Sequence, residues 1–236
     1  MLPFAGGSVY SYNGILKYLP DHIRAKSLEL PGRGRRSNEA LLTNLHDMVD
    51  DLLPEILDES DHPFAIYGHS MGTLLGYLIA NKLVLENKSL PKCIFLTGRG
   101  GPTIPKKDRY NHLLPKDDFI RKLESLGGCP PEVLNDPYLM EYFEPIIRAD
   151  FEAVEVYQHK ARKPLDLPIY VITGTEENIS DDEIDAWQKE TTYELKKEKL
   201  AGDHFFILDH EEELARMISM ALSYNDAKYS LQSYSC

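Results

Sequence analysis

The residues best fitted to do chemistry are Gly68-His69-Ser70-Met71-Gly72, a G-x-S-x-G pattern. A serine hydroxyl becomes a usable nucleophile when it projects from a sharp turn between a strand and a helix. Flanking glycines remove the Cβ atoms that would collide in such a turn. The surrounding AIYGHSMGTLLGYLIA supplies strand, turn and helix in that order, so Ser70 is the candidate nucleophile. It needs a base to take its proton and an acid to orient the base. With a nucleophile on a strand–turn–helix, the three follow in the order Ser, Asp or Glu, His. The histidines after Ser70 are His112, His159, His204 and His210. His204, in Ala-Gly-Asp-His-Phe-Phe, lies in a loop entering the last helical stretch and is the candidate base. The other three read as solvated surface residues.

The acid belongs at the end of a strand. TGRGGP, which follows one apolar run, offers no carboxylate. The run over 169–173 leads into Gly174-Thr175-Glu176-Glu177-Asn178-Ile179-Ser180-Asp181-Asp182, so the acid lies within 176–182. Glu177 is the first choice, with Glu176 and Asp181 left open. An oxyanion hole needs two backbone N–H groups, one from the residue after the nucleophile and one from an early glycine-rich loop. Met71 supplies the first, and Phe4 or Ala5, in LPFAGGS, the second.

These groups must be brought together by the elements around them. Short apolar runs at 65–67, 93–97 and 169–173 each lead to a glycine and alternate with helical stretches. That pattern predicts a mostly parallel sheet with crossover helices. Helical spacing predicts helices over 41–57, directly after Gly72, and over 211–222. The stretch from Gly98 to about Lys163 breaks the alternation. There Asp117 would cap a helix through Leu126, and Pro137 would open another. A helical insertion of that size between two strands reads as a lid over the carboxyl edge of the sheet. The expectation is one α/β domain over 1–236, with the lid at about 102–160 and a loose polar tail at about 224–236.

Composition narrows the function. The 236 residues are 42% hydrophobic and 27% charged, which excludes a disordered or fibrous chain. The net charge of −12 argues against binding nucleic acid or an anionic membrane. No apolar run approaches the roughly 18–20 residues that span a bilayer, and MLPFAGGSVY does not have the form of a secretory signal. Three cysteines at unrelated spacings form neither a metal motif nor a disulfide framework. A reduced, cytoplasmic enzyme without metal or cofactor is expected.

LPFAGGS, LELPGRGRR, YGHSMG, TGRGGP, AGDHFFIL and the block GGCPPEVLNDPYLMEYFEPIIRADFEAVEVY together resemble the type II thioesterases. These are stand-alone editing hydrolases of nonribosomal peptide and polyketide synthases. The resemblance runs from about residue 2 to about residue 220. It implies an α/β-hydrolase fold with a helical lid, acting as a monomer. The implied activity is hydrolysis of acyl or aminoacyl thioesters from the phosphopantetheine arm of a carrier protein, with Ser70 as nucleophile and His204 as base. The family usually carries aspartate where this chain has Glu177. Two other readings stay open, a carboxylesterase or lipase of the same fold and an inactive binding module.

Two further expectations follow. Carriers are typically acidic, as this chain is, so a productive encounter would use local positive patches. Arg33, Arg35 and Arg36 are the first candidates, with Lys106-Lys107 beside them. In the family a full strand precedes the LPFAGG turn, and here only Leu2 to Phe4 stand before it, so a frayed sheet edge is expected.

Overall fold

A computed structural model describes residues 1–60, 62–104 and 110–232, with side chains described to residue 223. Lys106 and Lys107 lie outside the described residues. Among the described residues the sheet has four parallel strands in sequential order: β1 (Ile66–His69), β2 (Ile94–Thr97), β3 (Ile169–Gly174) and β4 (Lys196–Leu200). The helices are α1 (Asn13–Tyr18), α2 (Leu45–Leu57), α3 (Met71–Leu85), α4 (Lys116–Leu126), α5 (Pro131–Leu134), α6 (Pro137–Val156), α7 (Asp181–Asp185) and α8 (Glu211–Gln232).

Side chains on a strand point alternately to opposite faces, and here both faces are covered. Ile94, Leu96, Ile169 and Val171 join one core with α2, α3 and Trp187. Tyr67, Phe95 and Ile172 join a second with Ile15, Leu214 and Ile218. This two-sided burial explains why the central strands read as unbroken apolar runs. The chain enters α3 directly from β1 and places α4, α5 and α6 between β2 and β3. Those three helices form their own small core around Phe119, Leu123, Leu134, Met140 and Ile147.

Several expected boundaries move. α2 begins at Leu45 rather than 41, because the Asn44 side chain accepts from His46 N at 2.8 Å and fixes the start. Asp117 does not cap α4. Pro115 holds the cap position, and Asp117 and Asp118 fall in the first turn, where their charge meets the helix dipole. Pro137 does open α6, behind an Asp136 side chain that accepts from Tyr138 N and Leu139 N. α8 continues past the expected 222 into the stretch expected as a loose tail, which contains no glycine or proline to stop it. Residues 233–236 lie outside the described residues. The sheet edge beyond β1 is paired rather than frayed. Leu2, itself buried, donates its N–H to Tyr67 O at 2.8 Å, and Met1 O accepts from Leu28 N at 3.0 Å.

Candidate active site

Ser70 stands between β1 and α3 with φ 52° and ψ −107°, a left-handed conformation that an L-residue adopts only under constraint. The constraint is visible. Ser70 N–H donates to Thr97 O at 2.9 Å. A Cβ on Gly68 would stand 2.1 Å from Gly72 O, and one on Gly72 would stand 2.6 Å from Leu2 O. Both glycines of the motif are therefore required by close backbone approach. The turn places Ser70 at the head of α3, where the first N–H groups, Met71 among them, have no partner within the helix.

His204 reaches this serine from the loop after β4. Its Nε2 lies 3.0 Å from Ser70 Oγ, and its Nδ1 lies 2.6 Å from Glu177 Oε1. The Glu177 side chain is 3% exposed, and its other oxygen accepts from Gly174 N–H at 2.7 Å. The turn at the end of β3 thus anchors one carboxylate oxygen and turns the other to the imidazole. The alternatives face elsewhere. Glu176 is exposed, and Asp181 pairs with Lys199 at 2.7 Å. That lysine holds the Asp181 carboxyl below its ordinary range. The other histidines are less solvated than expected. His112 is held by Glu155 and His159 stands against Glu190, both mostly buried, while His210 lies 2.8 Å from Ala201 O.

Two spaces meet at Ser70 and His204. One is a chamber of about 160 Å³ roofed by the insertion, with Leu123, Val133, Phe143, Ile147 and Phe151 in its wall. The other is a polar cleft of about 540 Å³ on the side of Arg99, Asn111 and Glu183. Ala5 lines both.

The family model described as a thioesterase domain matches residues 1–222. The chain belongs to the thioesterase family. Its reaction is the hydrolysis of a thioester, and its fold is the α/β-hydrolase fold. Similar to it is the gramicidin S biosynthesis protein GrsT of Aneurinibacillus migulanus, 34% identical over 94% of this chain and 87% of that protein. The human medium-chain S-acyl fatty acid synthase thioesterase is 30% identical over 89% of this chain and 81% of that protein. Among solved structures, ClbQ from the colibactin NRPS/PKS pathway superposes with a TM-score of 0.90 at 30% identity, covering 96% of each chain.

The thioesterase site also holds groups that the sequence did not single out. His69, in the middle of the motif, is fully buried and places its ring 4.9 Å from that of His204. Its Nδ1 meets Thr97 Oγ1 at 3.0 Å. Burial, and then the neighbouring His204, push its pKa well down, so the ring is neutral. A motif position that accepts any residue type gives no signal for such a role.

Arg33 is not a surface cation. It is 3% exposed and forms a bidentate pair with Asp150 of α6, both bonds at 2.7 Å. Asp150 Oδ2 also accepts from Gly6 N–H at 2.7 Å. The pair therefore ties α6 to the glycine-rich loop that carries Phe4 and Ala5. Arg36 is bound to Asp51 and Glu39. Of the three expected carrier contacts, Arg35 alone is exposed.

Proposed function

We propose that this thioesterase removes acyl groups from the phosphopantetheine arm of a carrier protein, in the manner of the type II editing enzymes. The observation that carries the mechanism is the chain of contacts Glu177–His204–Ser70 at 2.6 and 3.0 Å, set where the apolar chamber meets the polar cleft. Ser70 Oγ attacks the thioester carbonyl carbon while His204 Nε2 takes its proton. Glu177 stabilises the imidazolium and fixes its orientation. The tetrahedral oxyanion is received by Met71 N–H and a second N–H from the loop of Phe4 and Ala5. Ala5 is the better placed, since it lines both spaces. The C–S bond then breaks, and the thiol leaves with the proton from His204. Free thiols have a pKa near 8.5, so leaving-group protonation asks less of His204 than an amide would. Water, deprotonated by His204, hydrolyses the acyl-serine and restores Ser70. The insertion over the chamber acts as the lid. No metal or bound cofactor takes part, and one chain supplies every reacting group.

The pathways named for GrsT and ClbQ support the carrier-bound substrate over a free ester. So does the presence of two spaces of unlike polarity, one for an acyl group and one for a polar arm. Intact-mass measurement of an acylated carrier protein tests the reading. Wild type should return the carrier to its free-thiol mass, and Ser70→Ala should leave the acyl mass in place. A carrier that keeps its acyl group with wild type, while p-nitrophenyl esters are cleaved, would assign the enzyme to free esters instead.

A further inference from the structure

Arg99 is a cation without a counterion. It follows β2 and Gly98 at the carboxyl edge of the sheet and lines the polar cleft together with Ser70, Met71 and His204. Its Nε is buried with no hydrogen-bond partner, and among the described residues none accepts from its guanidinium or forms an ion pair with it. Arginines in protein interiors are normally matched to a carboxylate, because an unpaired buried charge is costly. Here burial is strong enough to draw the guanidinium pKa down to about 10, which still leaves it charged at neutral pH. Its backbone is held firmly. Arg99 O accepts from the indole N–H of the fully buried Trp187 at 3.1 Å, and Gly98 N–H donates to Ile172 O at 2.9 Å. A partly buried cation fixed beside the nucleophile, with an Nε donor that has no acceptor, is a binding group that lacks its ligand.

The carboxylates of the same cleft indicate what that ligand is. Glu177 is spent on His204 and Gly174 N–H, Glu183 on Ser180 N–H, Glu155 on Asn111 and His112, and Asp203 on Phe205 N–H. Glu176, the fifth carboxylate of the cleft, is exposed. Among the described residues no ion pair joins any of the five to Arg99, and together they outnumber Arg99 and Lys122 and would repel an anion entering the cleft. The acceptor that fits is therefore neutral and strongly polar, such as an amide carbonyl. A thioester bound at Ser70 with its acyl group in the apolar chamber must send its other half out through the polar cleft. On the proposed substrate that half is an arm bearing two amide groups.

We infer that Arg99 is a substrate-binding residue whose guanidinium donates to an amide carbonyl of the arm that presents the thioester. This rests on the carrier-thioester reading above. Arg99 takes no part in bond making. It gives the enzyme a preference for arm-borne acyl groups over the same acyl group on a simple alcohol, and it leaves the phosphate end of the arm to lie outside the acidic cleft.

The test uses one acyl group in three forms: the pantetheine thioester with two amides, the N-acetylcysteamine thioester with one, and the p-nitrophenyl ester with none. Wild type, Arg99→Met and Arg99→Lys are compared, each with its melting temperature recorded. For Arg99→Met, the ratio of kcat/KM on the pantetheine thioester to that on the p-nitrophenyl ester should fall at least tenfold, mainly through KM. Arg99→Lys should recover part of the ratio, since it keeps a cationic donor. A purely structural role would lower all three substrates together and leave the ratio unchanged, which overturns the inference. If Arg99→Met does not fold, the Lys variant decides through its inhibition by free pantetheine. Weaker inhibition than in wild type supports the inference, and equal inhibition overturns it. If wild type itself shows no preference for pantetheine over the p-nitrophenyl ester, the carrier reading fails and the inference with it. A wild-type preference that persists in Arg99→Met sinks the inference alone.

Discussion

Glu177 shows how much a single methylene decides. Its two oxygens are committed to His204 Nδ1 at 2.6 Å and Gly174 N–H at 2.7 Å. An aspartate is shorter by about 1.5 Å and cannot meet both from this backbone. Glu177→Asp should lower kcat by about tenfold, the scale of one weakened hydrogen bond to a charged group. Glu177→Gln keeps the length but presents the wrong hydrogen-bonding group to the imidazole. It should lower kcat by about 10³–10⁴. Steady-state kinetics on an acyl-pantetheine thioester separate the two variants. The sequence placed the acid in one loop and favoured Glu177, but it left Glu176 and Asp181 open. The choice is made by the turn at the end of β3, which is a matter of backbone geometry. Ser70 and His204 stood out as candidates because chain order and a strand–turn–helix context leave few options, and the fold brings the two within 3.0 Å. His69 was not legible, and it makes a separate prediction. Its folded pKa lies far below the ordinary value. Below about pH 6.5 the unfolded chain therefore takes up a proton that the folded chain refuses. The stability held above pH 6.5 is then lost as pH falls, by about 1.4 kcal/mol per unit from this group. Urea unfolding at pH 7.5 and 5.5 should show the loss in wild type, and His69→Asn should flatten it.

At the scale of elements, the most consequential contact joins segments far apart in the chain. Arg33 and Asp150 are separated by 117 residues, and nothing local in either segment announces the pairing. A run of basic residues reads as surface, and only the packing of α6 against the loop at Gly6 and Gly7 shows that one of them is buried. Asp150→Ala would strand the Arg33 charge in the interior and leave Gly6 N–H without its acceptor. That should cost about 3–5 kcal/mol of stability, read from the urea midpoint. Replacing Arg33 by Met in the same chain should recover part of the loss, because the stranded charge is then gone. The same logic explains the missed strand. β4 reads Lys-Lys-Glu-Lys-Leu, with four exposed residues and one buried. It is an edge strand, and charged side chains, lysine above all, are what keep such an edge from pairing with another molecule. Apolar periodicity reveals strands buried on both faces, so it found β1, β2 and β3 and passed over the one whose side chains face water.

At the scale of the molecule, the charge of −12 sets the terms on which a carrier is met. The sequence suggested a basic cluster from Arg33 to Arg36 as the docking patch. The structure spends Arg33 on Asp150 and Arg36 on Asp51 and Glu39, leaving Arg35 exposed. Within that cluster one exposed arginine is a weak counterweight to the net charge, so long-range repulsion should dominate the approach of an acidic carrier. Repulsion between exposed charges is screened within a Debye length, about 30 Å at 0.01 M salt and about 8 Å at 0.15 M. Raising salt across that range should therefore increase kcat/KM on the carrier-bound thioester, by up to about tenfold. The same acyl group on pantetheine, which has no folded carrier to repel, should show little change. Arg35→Glu should deepen the deficit at low salt on the carrier substrate and leave the pantetheine rate as it was. A carrier rate that falls as salt rises would have the opposite meaning. Attraction would then outweigh net repulsion, and a positive docking surface larger than Arg35 would have to exist.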